Sequence, residues 1–243
     1  WEIKYYIPLH RCIHLTWKGN ENKHFFTGGD YSYLLRYIPL TRITFSFESI
    51  GWGEQMSEVF KSDILKYHAL GSEGGLWSDT DVMYFAPMNN LEVNIEENKD
   101  VDTIVSLHPI YKHSVGFFLS APNNPYHKYL SEKQLKVWDS ENYQSVGSEM
   151  VNVDFPNLEA IKKKFPTVNP VNMPVKTVYA YDAIDIPAIY TSSDMSKYNN
   201  TSIGLHWYRG HPITGKYLNE ITLDNYKNYD NVLCKTIRKV YGT

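Results

Sequence analysis

Two carboxylates, Asp79 and Asp81, stand on either side of Thr80 at the end of the run Gly75-Leu76-Trp77-Ser78. On a regular strand, residues i and i+2 share one face. Where the chain leaves a sheet, both can offer oxygen to one hard cation, and Mg²⁺ or Mn²⁺ bound this way is typically shared with phosphate oxygens. A cation so placed offsets the charge that develops on a diphosphate leaving group. Paired aspartates also arise in solvated turns, so the setting decides. Gly74-Gly75 lets the backbone turn sharply before the run, and a helical pattern precedes it. Ligands of open α/β sheets collect beyond the carboxyl ends of the strands.

The elements that must hold this pair can be read from periodicity. From Glu54 to about Leu70, Met56, Val59, Phe60, Ile64, Tyr67 and His68 recur at three- and four-residue steps, which predicts an amphipathic helix. Asp63 falls between Phe60 and Ile64, an awkward place for a surface charge. Leu76 to Phe85 then reads as the strand that carries the carboxylates. Upstream, Cys12 to Trp17 has the content of a first buried strand, stopped by Lys18-Gly19-Asn20. Asp30 to Arg36 reads as a short capped helix before Pro39, and Arg42 to Phe47 alternates as a strand. Downstream, Thr103 to Leu107 and Val115 to Ser120 are expected strands, and Pro125 to about Trp138 an expected helix. Asn157 can cap Leu158 to Phe165. Val175 to Tyr181 and Ile203 to Tyr208 are further expected strands. Thr222 to Val240 reads as a closing helix whose Lys235, Arg238 and Lys239 suit its C-terminal dipole. Strands alternating with helices indicate an α/β fold with a central, mostly parallel sheet flanked by helices, in a single domain over residues 1–243.

Composition narrows the function class. A chain of 243 residues, 42% hydrophobic, can bury a core without a disulfide or metal staple. The 20 tyrosines and 6 tryptophans offer flat surfaces for stacking on sugars or bases, although packing uses them equally well. A net charge of −3 gives no basic field for nucleic acid. Cys12 and Cys234 are far apart and are expected to be free thiols. No apolar run approaches the ~20 residues that span a bilayer, and no signal-peptide pattern is present. A start at Trp1 is what a domain cut from a longer chain would show. The two cysteines favour a cytoplasmic setting, and a Golgi-type lumen fits if an N-terminal anchor once preceded the chain.

Two stretches carry a more specific signal. Ser62-Asp63-Ile64-Leu65-Lys66-Tyr67 followed by Gly74-Gly75-Leu76-Trp77-Ser78-Asp79-Thr80-Asp81 resembles the sugar-binding region with the "DXD" motif found in GT-A (Rossmann-like) glycosyltransferases. The group it resembles holds α-mannosyltransferases, capsular-polysaccharide transferases and clostridial glucosylating toxins, with the form Ser-Asp-x-x-Arg-Tyr, a spacer, then Gly-Gly-x-Tyr-x-Asp-x-Asp. Ile13-His14-Leu15-Thr16-Trp17-Lys18-Gly19 resembles that group's first strand, and Gly204-Leu205-His206-Trp207 its late His-Trp segment. Ser114 to Pro125 loosely resembles the stretch between them.

The resemblance implies a metal-dependent glycosyltransferase that takes a nucleotide-sugar, with UDP favoured, and transfers the sugar to a hydroxyl of a glycan or other acceptor with retained configuration. Trp17 would stack on the base beside the Thr16 backbone. Ser62 and Asp63 would lie at the donor sugar, with Trp77 and Thr80 lining the donor site. Lys66 would lie near sugar and phosphate. Asp79 would sit near ribose and metal, Asp81 would bind the Mn²⁺ or Mg²⁺, and His206 would complete the metal shell or touch the diphosphate. Lys66 replaces the usual Arg and is a point charge rather than a fork. Trp77 replaces a Tyr and loses a hydroxyl. After Trp207 the chain reads Tyr208-Arg209-Gly210-His211 where the group often has Ser-Trp, so Arg209 or His211 would substitute there. Glu149 is a candidate for the acceptor side. Two other classes compete. One is a phosphotransferase of the haloacid-dehalogenase type, which needs its aspartates after the first strand. The other is a non-catalytic carbohydrate-binding domain on the same scaffold.

Overall fold

The computed structural model describes residues 2–7, 12–16, 41–44, 58–79, 81–86, 101–110, 112–142, 144–222 and 224–241, with backbone alone up to residue 59. In chain order the elements are β1 (Glu2–Ile7), β2 (Cys12–Thr16), β3 (Thr41–Thr44), α1 (Glu58–Ser72), β4 (Gly75–Asp79), β5 (Val82–Tyr84), β6 (Thr103–His108) and β7 (Lys112–Ser120). There follow α2 (Pro125–Val137), α3 (Ser148–Asp154), α4 (Leu158–Lys164), β8 (Pro170–Asn172), α5 (Ile186–Thr191), β9 (Gly204–His206), α6 (Pro212–Leu218) and α7 (Val232–Tyr241). These gather into two compact units. The first holds the described residues up to Asp79 and from 101 to Met173, the second those of 81–86 and from Pro174 onward.

The first unit is a sheet in the order β3-β1-β2-β4-β7-β6-β8, with helices packed on it. It is a mixed α/β arrangement, and the expected mostly parallel sheet is corrected. Of the described pairings, β1–β2, β2–β4, β4–β7 and β6–β7 are antiparallel, while β1–β3 and β6–β8 are parallel. The physical reason is partly local. β6 ends at His108 and β7 begins at Lys112, too short a link for the crossover a parallel pair requires.

β4 lies between β2 and β7, with Leu76 facing Leu15 on one side and Leu119 on the other. Its Leu76, Trp77 and Ser78 are buried, as expected for a strand covered on both faces. The strand enters through Gly74, whose φ is +65. A Cβ at Gly74 would lie 2.4 Å from the Pro122 nitrogen, so only glycine fits this reversal. The expected single strand from Leu76 to Phe85 is in fact β4 and β5, separated after Asp79.

α1 matches its periodicity and goes beyond it. Phe60, Ile64, Tyr67 and Leu70 are buried, but so are Ser62, Asp63, Leu65 and Lys66. A helix enclosed nearly all round must satisfy the polar groups it buries. The Gln134 side-chain amide on α2 donates to the Ile64 carbonyl at 3.0 Å, and a Cβ at Gly71 would come within 2.9 Å of the Lys128 backbone nitrogen. α1 and α2 are therefore in close contact. Phe118, Tyr126, Phe155 and Val151 complete this core.

The second unit pairs β5 with β9 antiparallel, with Val82 facing His206. Leu205, Ile189, Val232 and Leu233 form its core. Val175 to Tyr181 is not a strand: Val175–Thr177 is a 3-10 turn. The Thr177 amide closes on the Pro174 carbonyl at 2.9 Å, and the Thr177 and Val178 carbonyls accept from the Ile203 and His206 amides at 2.8 Å, two bonds that fall short of a regular ladder. Val178 and Tyr181 are buried. The closing helix starts only at Val232. Asn225 accepts from the Thr222 amide at 2.7 Å and ties the preceding stretch into a turn, and Asn231 accepts from the Cys234 amide at 2.9 Å at the helix start. Cys234 is a free, buried thiol. Among the described residues no helix is long and apolar enough to cross a membrane. The expected strand end at Trp17, the Asp30–Arg36 helix and Thr80 lie outside the described residues.

Candidate functional site

Asp63 and Lys66 lie three residues apart on α1 and so share a face of the helix. The Lys66 Nζ donates to Asp63 Oδ1 at 2.8 Å and stands 3.8 Å from Asp79 Oδ1 at the end of β4. Trp77, two positions before Asp79 on the same strand face, donates its indole N–H to Asp79 Oδ1 at 3.3 Å. Among the described residues two carboxylates thus converge on one ammonium. The Lys66 side chain is 1% exposed, Asp63 11% and Asp79 28%. Among its described contacts Lys66 holds the two carboxylates. Ser62 is buried next to this pair.

Tyr67, one helical turn beyond Asp63, belongs to the same neighbourhood. Burial raises its hydroxyl well above the usual value, and Asp63, Tyr126 and Asp79 push in the same direction. It stays protonated and is no base.

Asp81 and His206 belong to the second unit. His206 Nε2 is 3.3 Å from Asp81 Oδ1, and the backbone N–H of Arg209 donates to Asp81 Oδ2 at 3.0 Å. The Asp81 carbonyl accepts from the Trp207 amide at 3.0 Å. Tyr208 makes this possible: its φ of 55 puts a bulky residue in the left-handed region and turns the following N–H toward the carboxylate. The His206 ring lies against Tyr179 at 5.2 Å and Tyr208 at 4.3 Å. Its Nδ1 is buried and has no hydrogen-bond partner among the described residues. Carboxylate oxygen with imidazole nitrogen is a donor set that suits Mn²⁺. Two cis ligands of a cation bound at ~2.1 Å stand ~3.0 Å apart, close to the Asp81–His206 spacing.

Other sequence candidates are placed differently. β2 runs against β4, and Cys12 faces Asp79. Thr16, at the other end of β2, therefore lies four strand positions away, ~13 Å at the usual rise. The structure does not bring Thr16 to the Asp79 end of the sheet. His211 Nδ1 accepts from the Ile213 amide at 3.2 Å and caps α6, which accounts for it structurally. Arg209 contributes through its backbone, which no side-chain motif reveals. Glu149 is exposed and accepts from the Asn142 side chain at 2.8 Å.

No family model matches the chain, and no curated protein or solved structure matches it.

Proposed function

We propose that the chain is a metal-dependent glycosyltransferase of the GT-A kind, moving a sugar from a nucleotide-sugar donor to a hydroxyl acceptor. The observation that carries this reading is the convergence of Asp63, Lys66 and Asp79, which a helix and a strand end bring within 3.8 Å of a common Nζ. A pattern of aspartates that served only solubility would not be gathered around one buried ammonium.

Asp63 accepts hydrogen bonds from hydroxyls of the donor sugar, and Lys66 holds its carboxylate in one orientation. Asp81 and His206 would hold Mn²⁺ or Mg²⁺, and a cation bound there would supply positive charge against a departing diphosphate. The Arg209 N–H and the His206 ring keep the Asp81 carboxylate oriented for that work. UDP is the expected nucleotide, and a glycan hydroxyl the expected acceptor. The base-stacking part of Trp17 is not carried into this reading, because Thr16 beside it ends β2 away from Asp79.

A second reading is a non-catalytic carbohydrate-binding domain that keeps the Asp63 contact to sugar, and the placing of Thr16 four strand positions from Asp79 favours it. One experiment separates them. Incubate the protein with a panel of UDP- and GDP-sugars and Mn²⁺, follow sugar loss by mass spectrometry, and repeat with EDTA and with Asp81→Ala. Removing one electrostatic stabiliser of a leaving group costs ~10²-fold or more in turnover. Asp81→Ala is expected to fall by that much, and EDTA to abolish sugar loss. Near-normal turnover in Asp81→Ala would sink the enzyme reading.

A further inference from the structure

The turn before α3 closes over Asp63. Gly147 is buried there, and a Cβ built on it would lie 3.2 Å from Asp63 Oδ2 and 3.0 Å from Gln144 Oε1. Gln144 Oε1 is itself committed, accepting from the Ser148 hydroxyl at 2.6 Å and from the Ser148 amide at 3.3 Å. Asp63 Oδ1 is committed to Lys66 at 2.8 Å. Among the described residues, Asp63 Oδ2 has no partner, on a residue only 8% exposed overall. A carboxylate oxygen so deeply placed and left open is a position built for a donor from outside.

The chemistry of that donor is narrow. Asp63 Oδ2 is an acceptor, and the carboxylate already takes its charge partner from the Lys66 Nζ at 2.8 Å through Oδ1, so what Oδ2 still offers is a hydrogen bond. A neutral hydroxyl, donating at the ~2.7 Å typical of O–H···O bonds, meets that need. Whether it can approach depends on what stands at position 147.

We infer that Gly147 determines the specificity of the sugar half-site: the missing side chain leaves Asp63 Oδ2 open to one hydroxyl of a neutral sugar. The inference rests on the reading above for the ligand class, and it adds the residue that gates the contact. Gly147 differs from Gly74 in the kind of neighbour a Cβ would meet. At Gly74 it meets backbone, with the Pro122 nitrogen at 2.4 Å, and the fold has no room to yield. At Gly147 the near atoms are the tips of two side chains, and the nearest backbone atom, the Gln144 carbonyl, is 3.8 Å away. Gly147→Ala asks those two tips to give by a few tenths of an ångström and places a methyl group where the hydroxyl must come. An unfolding midpoint in urea close to that of wild type checks that the variant folds.

The test titrates wild type and Gly147→Ala with UDP alone, with a panel of UDP-hexoses, and with free methyl glycosides. It reads the Trp77 indole N–H, which touches Asp79 in the same cluster, by NMR. The expected result is sugar binding in the wild type that weakens at least tenfold in Gly147→Ala, while affinity for UDP alone changes less than twofold. Methyl glycosides that bind and lose affinity in the variant, without any nucleotide binding, support the gate and overturn the glycosyltransferase reading. UDP-hexoses that bind both proteins equally overturn the gate and leave that reading standing. No response to any sugar at tens of millimolar overturns both.

Discussion

Asp79 and Asp81 are neighbours but one in the chain, and they are held in opposite ways. Asp79 closes a buried strand and faces an ammonium, an indole N–H and, through Lys66, a second carboxylate. Asp81 is held by an imidazole and a backbone N–H on a short two-stranded ladder. In the first unit the charges are fixed by the core around them: Lys66 is 1% exposed, between α1 and β4. In the second unit the partners can exchange. A carboxylate steadied by one backbone N–H and one imidazole keeps lone pairs for another ligand. On the function proposed above, a sugar contact would draw on the first kind of rigidity, and a cation that comes and goes with a diphosphate on the second.

The largest expected effect tests the rigid half. Lys66→Met removes the ammonium and leaves Asp63 and Asp79 without it. Breaking a buried pair by deleting one partner costs about 3–5 kcal/mol. Urea unfolding should show a loss of that order, and a loss under ~1 kcal/mol would mean that the cluster is solvated and the contrast with Asp81 is false.

Acid sharpens the same contrast from outside the site. His113 and His127 lie in the first unit, almost wholly buried. Burial holds His113 down to about 4, although its Nε2 bond to the Phe155 carbonyl pulls the other way. Burial alone holds His127 down to about 3. Between these values and the ordinary 6.5 the unfolded chain binds protons that the folded chain does not. Stability is therefore complete above about pH 6.5 and falls as the pH drops toward 4, by ~1.4 kcal/mol per pH unit for each histidine. Unfolding midpoints in urea at pH 7.5 and 5.5 should differ accordingly, and His113→Asn should flatten the slope. An unchanged midpoint would place water against both rings.

How much of this was legible in the sequence depends on how local each cause is. The α1 pattern, the Gly74 reversal and the Asn157 cap, which accepts from the Ala160 amide at 2.9 Å, are written in residues a few positions apart. So is the nearness of Asp63 and Lys66, which helical spacing dictates. Strand direction is not local. Nothing in Cys12 to Thr16 says that it will run against β4, and that direction separates Thr16 from Asp79. The Arg209 contact is a backbone N–H aimed by Tyr208 in a left-handed conformation, which side-chain chemistry does not announce. Gly147 matters through an absent side chain, visible only once Asp63 is seen beneath it. Val175 to Tyr181 has a strand's composition but begins as a 3-10 turn closed on Pro174, and only its Thr177 and Val178 carbonyls bond to the Ile203 and His206 amides.

The smallest expected effect asks whether the second half is as uncommitted as its contacts suggest. His206→Gln removes the imbalance at Nδ1, which already lacks a partner, and can keep one hydrogen bond to Asp81 Oδ1. Asp81 keeps the Arg209 N–H in either case. The neutral hydrogen bond at stake is worth about 1 kcal/mol, and the ring contacts with Tyr179 and Tyr208 add a similar amount at most. Stability in urea should therefore fall by about 1–2 kcal/mol, less than in Lys66→Met. Apparent affinity for Mn²⁺, read by the quenching of tryptophan fluorescence, should weaken tenfold or more, because a glutamine amide is a poorer ligand than imidazole for that ion. If His206→Gln instead costs as much stability as Lys66→Met and leaves Mn²⁺ affinity untouched, Asp81 and His206 are a structural pair, and the two aspartates differ in surroundings but not in purpose.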